Sequence, residues 1–296
     1  MGIADQGLKT RKTKESLSEQ IFKEIFESDK KKKDAKVNKK ILISGKNGTA
    51  KTSLSLSLMT HDLDDDEIIV YVDIDNSGKE IIQSFYEDEF LNGKIKIYNP
   101  NVFMENDKGA SIKDEEGVVN NVTSTAESIR QALDAGIKVK GIIVDGVSFL
   151  LEYAEAKMRL EKNLAADQGA NLTVWKIRNK FFREFSSAYM DLDMPVIFIS
   201  HGDFIPEVLK DGDELSSVKR RLIDECSMRI ILEKINEGAN VDSYVATIQK
   251  DRSNIFLVGK KQEFMRVNNK ENTIETQYDE LYNLIFPKKD EKGNKK

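Results

Sequence analysis

The stretch "ILISGKNGTAKTSLSL", residues 41–56, sets Gly45, Lys51 and Thr52 at the spacing of a phosphate-gripping loop, Gly-x-x-x-x-Gly-Lys-Ser/Thr, with Ala50 in the place of the second glycine. The chemistry such a loop offers is electrostatic. Successive backbone N–H groups and a helix N-terminus face phosphate oxygens, the lysine ammonium lies near the outer phosphates, and the hydroxyl after it holds magnesium. The candidate nucleotide-binding residues are therefore Gly45, Lys46, Asn47, Gly48, Thr49, Ala50, Lys51, Thr52 and Ser53. Gly45 and Gly48 are expected to supply the unusual backbone angles, and the methyl group of Ala50 fits provided that its φ is negative at the helix start. The competing reading is a glycine-containing loop without a ligand. The strand-like "KKILIS" before the loop and the helix-compatible residues after it favour the phosphate loop.

A magnesium ion held by Thr52 needs a carboxylate at a neighbouring strand end. Asp145 in "GIIVDG" stands at such an end, and Gly146 follows it, so the carboxylate that orients attacking water must come from elsewhere. "EIIVYVDIDNSG" offers Asp75, nearer the strand tip, with Asp73 in reserve; the plainer reading is that both cap the strand end. "MPVIFISHGDF" brings Ser200 and His201 to the end of another buried strand, where ligands of open α/β sheets lie. There His201 either senses a terminal phosphate or satisfies a local backbone group. "YVATIQKDRSN" carries Lys250 and Arg252 two residues apart. They are either cations that neutralise a phosphate bound to a neighbouring subunit or an ordinary surface pair.

These residues need a scaffold that delivers several strand ends to one edge. Short β-branched runs, "KILIS", "EIIVYVDID", "KIKIYN", "GIIVDG", "MPVIFIS", "MRIILE" and "YVATIQK", are separated by longer connections, several of them helical. That is the pattern of an α/β core, a largely parallel sheet covered on both faces. "SLSLSLM" alternates like a strand, but Leu56, Met59 and Leu63 also fit a helical face, and the turn chemistry of a hairpin is absent. Val174, Ile177, Phe181, Phe185 and Tyr189 stand at helical spacing suited to core packing. Residues 99–125, with Gly109, Gly117 and weak periodicity, read as a surface insertion, and a last helix after Tyr278 ends near Pro287.

The first 40 residues hold 12 basic against 7 acidic side chains, in a chain of 296 residues with 46 basic and 51 acidic ones and a net charge of −5. The whole is no polycation, so any nucleic-acid contact must be local. Within the extension 1–38, "SLSEQIFKEIFES" spaces Leu17, Ile21 and Ile25 as a short amphipathic helix, and "DKKKKDAKVNKK" reads as a solvated hinge or a basic arm. Residues 39–287 read as one domain, and 288–296 as a disordered tail. The single Cys226 excludes an intramolecular disulfide and fits a reducing, cytoplasmic setting. No apolar run approaches the roughly 20 residues that span a bilayer, so no membrane partner is expected.

In this order, the five features resemble the RecA-like P-loop ATPase family, with its replicative-helicase and KaiC branches, over roughly residues 39–260. The resemblance implies a RecA-like core, ATP and Mg2+ as cofactors, and a homo-oligomer, ring or filament, with nucleotide between subunits. It implies Lys51 and Thr52 as Walker A, Asp145 as Walker B, Asp75 in the place of the family's catalytic glutamate, His201 in a sensor place usually held by glutamine, and Lys250 with Arg252 as a trans-acting Lys-x-Arg finger. Ala50, Asp75 and His201 depart from the family pattern, the first bearing on affinity and the others on hydrolysis rate. Within the family the chain looks most like small phage ATPases of single-strand annealing and recombination, which implies host cytoplasm.

RecA-like proteins touch DNA through loops after the Walker B and sensor strands. The second such loop is "DGDELSSVKRRLIDE", whose Lys219, Arg220 and Arg221 can track phosphates without reading sequence. Acidic residues before the cluster and the lack of an aromatic residue for base stacking keep a solvated helix start as the other reading. Three function classes follow: an oligomeric ATPase on single-stranded DNA in recombination, annealing or replication; a helicase or translocase on duplex DNA; and a KaiC-like nucleotide-dependent scaffold that never touches DNA.

Overall fold

The computed structural model describes residues 38–105, 110–165, 168–169, 171–202, 217–238 and 240–287, with the backbone alone at Leu172 and residues 217–220. The expected N-terminal amphipathic helix and C-terminal tail lie outside the described residues.

Strand β1 (Lys40–Gly45) lies inside a nine-stranded sheet with β2 (Glu67–Asp73), β3 (Ile95–Tyr98), β6 (Lys138–Asp145), β7 (Val196–Ser200), β8 (Met228–Asn236), β9 (Val241–Asp251), β10 (Lys261–Asn268) and β11 (Thr273–Thr276). The order is β11-β10-β9-β8-β1-β7-β6-β2-β3. Pairing is parallel from β8 through β1, β7, β6 and β2 to β3, and antiparallel from β8 outward to β11. The seven sequence-read strands are all present; β10 and β11 were not foreseen, because β10 is mostly half-buried and the edge strand β11 is exposed, so neither gives a continuous buried run.

Period-two alternation sorts the strand residues onto two faces. Ile41, Ile43, Tyr71, Ile143, Ile197 and Ile199 pack under helices α1 (Lys51–Thr60), α2 (Gly78–Phe85) and α8 (Tyr278–Ile285). Leu42, Val72, Val144 and Phe198 pack under α4 (Glu115–Asp134), α5 (Val147–Glu161), α6 (Leu172–Met190) and α7 (Ser217–Glu225). A short α3 (Glu87–Leu91) precedes β3. The α/β class read from the sequence therefore holds, a mostly parallel sheet between two helical layers.

"SLSLSLM" is helical, and its apparent alternation has a simple origin. Leu54, Leu56, Leu58 and Met59 are all buried, so α1 is enclosed on most sides and needs no single apolar stripe. The expected surface insertion 99–125 is corrected at its second half. The strands β4 (Phe103–Glu105) and β5 (Ser111–Lys113) form a small exposed hairpin, but Glu115 onward is helix α4, with Val118, Val119 and Val122 in the core. Asp114 caps that helix by accepting from the Gly117 backbone N–H, so the glycine taken as a loop marker sits in the first helical turn.

Candidate nucleotide site

Parallel register carries four strand ends to one edge: Asp73 pairs with Asp145, Asp145 with Ile199, Ser44 with Ser200, and Gly45 with Leu232. Beyond that edge lies a cavity of about 500 Å³ lined by Ala50, Lys51, Thr52, Asp75, Asp145 and His201 among others. The loop that bounds it is built by close approach. A Cβ on Gly45 would stand 2.4 Å from Thr49 Oγ1 and 3.0 Å from the Leu232 carbonyl, so this glycine serves packing, and the expected unusual angle belongs to Gly48 alone, at φ 75°. Lys46, Asn47 and Gly48 are exposed at the loop tip, and Thr49 Oγ1 donates to the Lys46 carbonyl at 2.9 Å.

Ala50 corrects a second expectation. It is the N-cap of α1 with φ 58° and ψ 32°, the left-handed region, rather than a negative-φ residue. The backbone thus keeps the conformation that a glycine would take without strain, and the alanine bears roughly 1–2 kcal/mol for it.

Lys51 opens α1, buried, with its Nζ donating to the carbonyls of Gly45 at 3.1 Å and Lys46 at 2.9 Å. Burial lowers its pKa, opposed by the charges of Asp145 and Asp75. Thr52 Oγ1 donates to Asp145 Oδ2 at 2.8 Å. Ser53 is half-buried in the same turn, and its carbonyl accepts from Tyr86. Asp145 is 2 % exposed, and burial, with Asp75 adding negative charge, raises its pKa to about 6. A hydroxyl and a buried carboxylate are hard oxygen donors of the kind magnesium takes in ones and twos alongside phosphate and water, so Thr52 and Asp145 fit that ion. No group of three or more His, Cys, Asp or Glu among the described residues could hold a metal by itself.

The two acidic candidates divide their labour. Asp73 accepts from the Gly78 N–H through both oxygens and from the Ser77 N–H, at the start of α2, which makes it the capping residue of the pair. Burial raises its pKa. Asp75 lies beyond the end of β2, accepts from the Ser77 N–H at 3.0 Å and the Ser77 hydroxyl at 2.7 Å, and faces the cavity. Burial opposes its ionisation, but the nearby His201 ring and hydrogen bonds from Ser77 hold its carboxyl below the usual range. His201 Nε2 is 3.7 Å from Asp75 Oδ2, its backbone N–H donates to Ser148 Oγ, and its ring stands edge-on to Phe149. Ser200 is not part of the cavity wall: it is fully buried, with its hydroxyl 2.8 Å from that of Ser44.

Lys250 and Arg252 stand apart. Antiparallel β9 ends beside the start of β8, with Met228 opposite Asp251, so the two cations occupy the edge where the parallel strands begin. A strand length, roughly 17 Å, separates that edge from the loop. Both grip the C-terminus of α7: Lys250 Nζ donates to the carbonyls of Ile223 at 2.7 Å and Asp224 at 2.8 Å, and Arg252 donates to Asp224 as well. Five ordered motifs therefore make one four-part site and one pair at the opposite edge of the sheet. In the basic run, Arg221 is exposed and ion-paired with Glu225 on its own helix, while the side chains of Lys219 and Arg220 lie outside the described residues.

Tyr71 was missed by sequence reasoning. It is fully buried in β2 and its hydroxyl donates to Asp145 Oδ2 at 2.5 Å, the oxygen that Thr52 also holds. Burial and the Asp145 charge push its pKa well above the ordinary phenol range, so it stays a donor. The available signal was position: two residues before Asp73, on the same strand face.

Sheet order, loop and helix layers are those of a RecA-like P-loop core. Residues 24–166 match the family model described as "ATPase: KaiC", a stretch that contains the loop, Asp75 and Asp145 and stops short of His201, Lys250 and Arg252. That likeness supports a nucleotide-dependent ATPase activity. No curated protein matches the chain significantly. No helix among the described residues is long and apolar enough to cross a membrane.

Proposed function

We propose that the chain is a magnesium-dependent ATPase that works as an oligomer on single-stranded DNA in recombination, annealing or replication. The observation that carries the catalytic half is the cavity where the phosphate loop, the Thr52–Asp145 hydrogen bond and the Asp75–His201 pair meet. Lys51 and the loop amides bind and orient the phosphates. Magnesium, when bound, shields their charge, and Thr52 and Asp145 are the residues to hold it. Asp75, ionised across the working range, accepts a hydrogen bond from the attacking water, and His201 holds Asp75 in place from the end of β7. A second cavity of about 700 Å³ on the β8–β9 side of Lys46, Asn47 and Thr49 offers room for the rest of the nucleotide.

Oligomerisation is supported by the position of Lys250 and Arg252, which cannot reach the loop of their own chain but present charge to a neighbour stacked edge to edge. The DNA half is supported by the family resemblance and by the adjacent Lys219, Arg220 and Arg221. A KaiC-like scaffold without DNA is the second reading, favoured by the engagement of Arg221 with Glu225. The test is ATP turnover of the full chain with and without single-stranded DNA over a salt series. Stimulation and binding that weaken with salt support the first reading. Turnover without either leaves the scaffold, and no nucleotide binding removes both.

A further inference from the structure

Asp145 Oδ2 accepts two hydrogen bonds from hydroxyl groups, one from Thr52 at 2.8 Å and one from Tyr71 at 2.5 Å. Thr52 belongs to the phosphate loop, but Tyr71 does not line the cavity; it is fully buried, with its ring against Gly78 of α2, and reaches the carboxylate from β2, the strand beside β6. We infer that Tyr71 is a positioning residue for the cation site, fixing the Asp145 carboxylate so that its hydrogen bond from Thr52 keeps one geometry. The inference rests on the nucleotide-site reading above.

The arrangement is specific in its construction. The Tyr71 ring is accommodated by Gly78, where an added Cβ would lie 2.3 Å from the ring and hydroxyl. The Gly78 N–H in turn donates to both oxygens of Asp73, which fixes the α2 start against the strand end. A phenylalanine would pack the same volume against Gly78. What the hydroxyl adds is a second hydrogen bond to one carboxylate oxygen. A carboxylate held by Thr52 alone is free to turn about its terminal torsion, a broad and soft coordinate. Held by two donors from different elements, it has one orientation. Thr52 would then keep donating to Asp145 while its oxygen lone pairs stay available to a cation. Outer partners of this kind typically change metal affinity by about 10- to 100-fold when removed.

The test compares the full chain with its Tyr71→Phe variant in two titrations. The first measures ATP binding by calorimetry in EDTA, without metal. The second measures Mn2+ binding, by electron paramagnetic resonance, to protein saturated with a non-hydrolysable ATP analogue. The expected result is metal-free ATP affinity within about twofold of wild type and Mn2+ affinity weaker by about tenfold. Unchanged Mn2+ affinity overturns the inference. So does an equal loss in both titrations, which marks Tyr71 as a packing residue only. Gly78→Ala, which presses on the same ring, provides an independent variant and should weaken Mn2+ more than metal-free ATP. Wild-type protein that binds no ATP in EDTA or in Mg2+ fails the nucleotide-site reading itself, an outcome separate from the others.

Discussion

His201 Nε2 stands 3.7 Å from Asp75 Oδ2, so the two residues in the places that the RecA-like resemblance gives to glutamine and glutamate are neighbours in the fold. Asp75 is one methylene shorter than glutamate, and its second anchor is the Ser77 hydroxyl at 2.7 Å. The departures are thus coupled rather than independent losses.

Coupling makes a test by substitution. Asp75→Asn should lower ATP turnover by about 100-fold or more, the worth of a positioned general base, with ATP affinity little changed. Asp75→Glu crowds His201, and His201→Gln leaves Asp75 short of its partner, so each should lose activity alone. The double variant, which carries the glutamate and glutamine that the RecA-like resemblance implies at these places, should turn over faster than either single one. Steady-state kinetics of the four proteins check this, and additive losses would remove the coupling.

The left-handed Ala50 leads to the second prediction. Glycine takes φ 58° freely but adds entropy to the unfolded chain, so Ala50→Gly should stabilise the protein by up to about 1 kcal/mol. Ala50→Val should destabilise it, because a branched Cβ is poorly tolerated there. Urea unfolding of the three proteins gives the order. A glycine variant less stable than wild type would show that the loop strain is smaller than the entropy cost.

Much of this was legible in the sequence, for identifiable reasons. Buried parallel strands read as continuous apolar runs, so Asp145 and His201 could be placed at strand ends without a structure. The Walker-type spacing located the loop because its chemistry demands those residue types. Tyr71 was passed over because an aromatic residue inside an apolar strand looks like core; its position before Asp73 was readable, but the register of β2 against β6 is what brings its hydroxyl to Asp145. The sign of φ at Ala50 follows from loop closure, not composition. The separation of Lys250 and Arg252 from the loop was equally hidden, since it depends on β9 running antiparallel to β8.

Lys40 supplies a prediction in pH. It is buried at the start of β1, with Nζ donating to the carbonyls of Leu192 and, at 2.6 Å, Met194, and burial lowers its pKa from 10.5 to about 8. Below pH 8 folded and unfolded forms are both charged, and the fold bears the cost of burying that charge. Between about 8 and 10.5 the unfolded chain holds the proton that the folded one has released, so stability rises with pH in that window. Relative to Lys40→Met, wild type should therefore gain on the order of 2 kcal/mol between pH 7 and pH 10. Denaturant unfolding of both proteins at the two pH values measures it. Parallel behaviour would mean that Lys40 keeps its proton.

The last prediction concerns the opposite edges of the sheet. Lys51 and Arg252 belong to one chain but not to one cavity, so a finger role requires two copies. Arg252→Ala should bind ATP nearly as wild type does and lose turnover by about 10³-fold, the usual worth of an arginine finger. The lost contact to Asp224 at the end of α7 costs well under that, about 0.3–1 kcal/mol in stability. Lys51→Ala should lose ATP binding. Each variant alone is then inactive, but in an equal mixture of a head-to-tail assembly roughly a quarter of interfaces join an intact loop to an intact finger. Mixing should restore about that fraction of wild-type turnover, read by phosphate release against each variant alone. Recovery requires that the site be shared between subunits; its absence, in a mixture shown by light scattering to co-assemble, would assign Arg252 to capping α7 and nothing more.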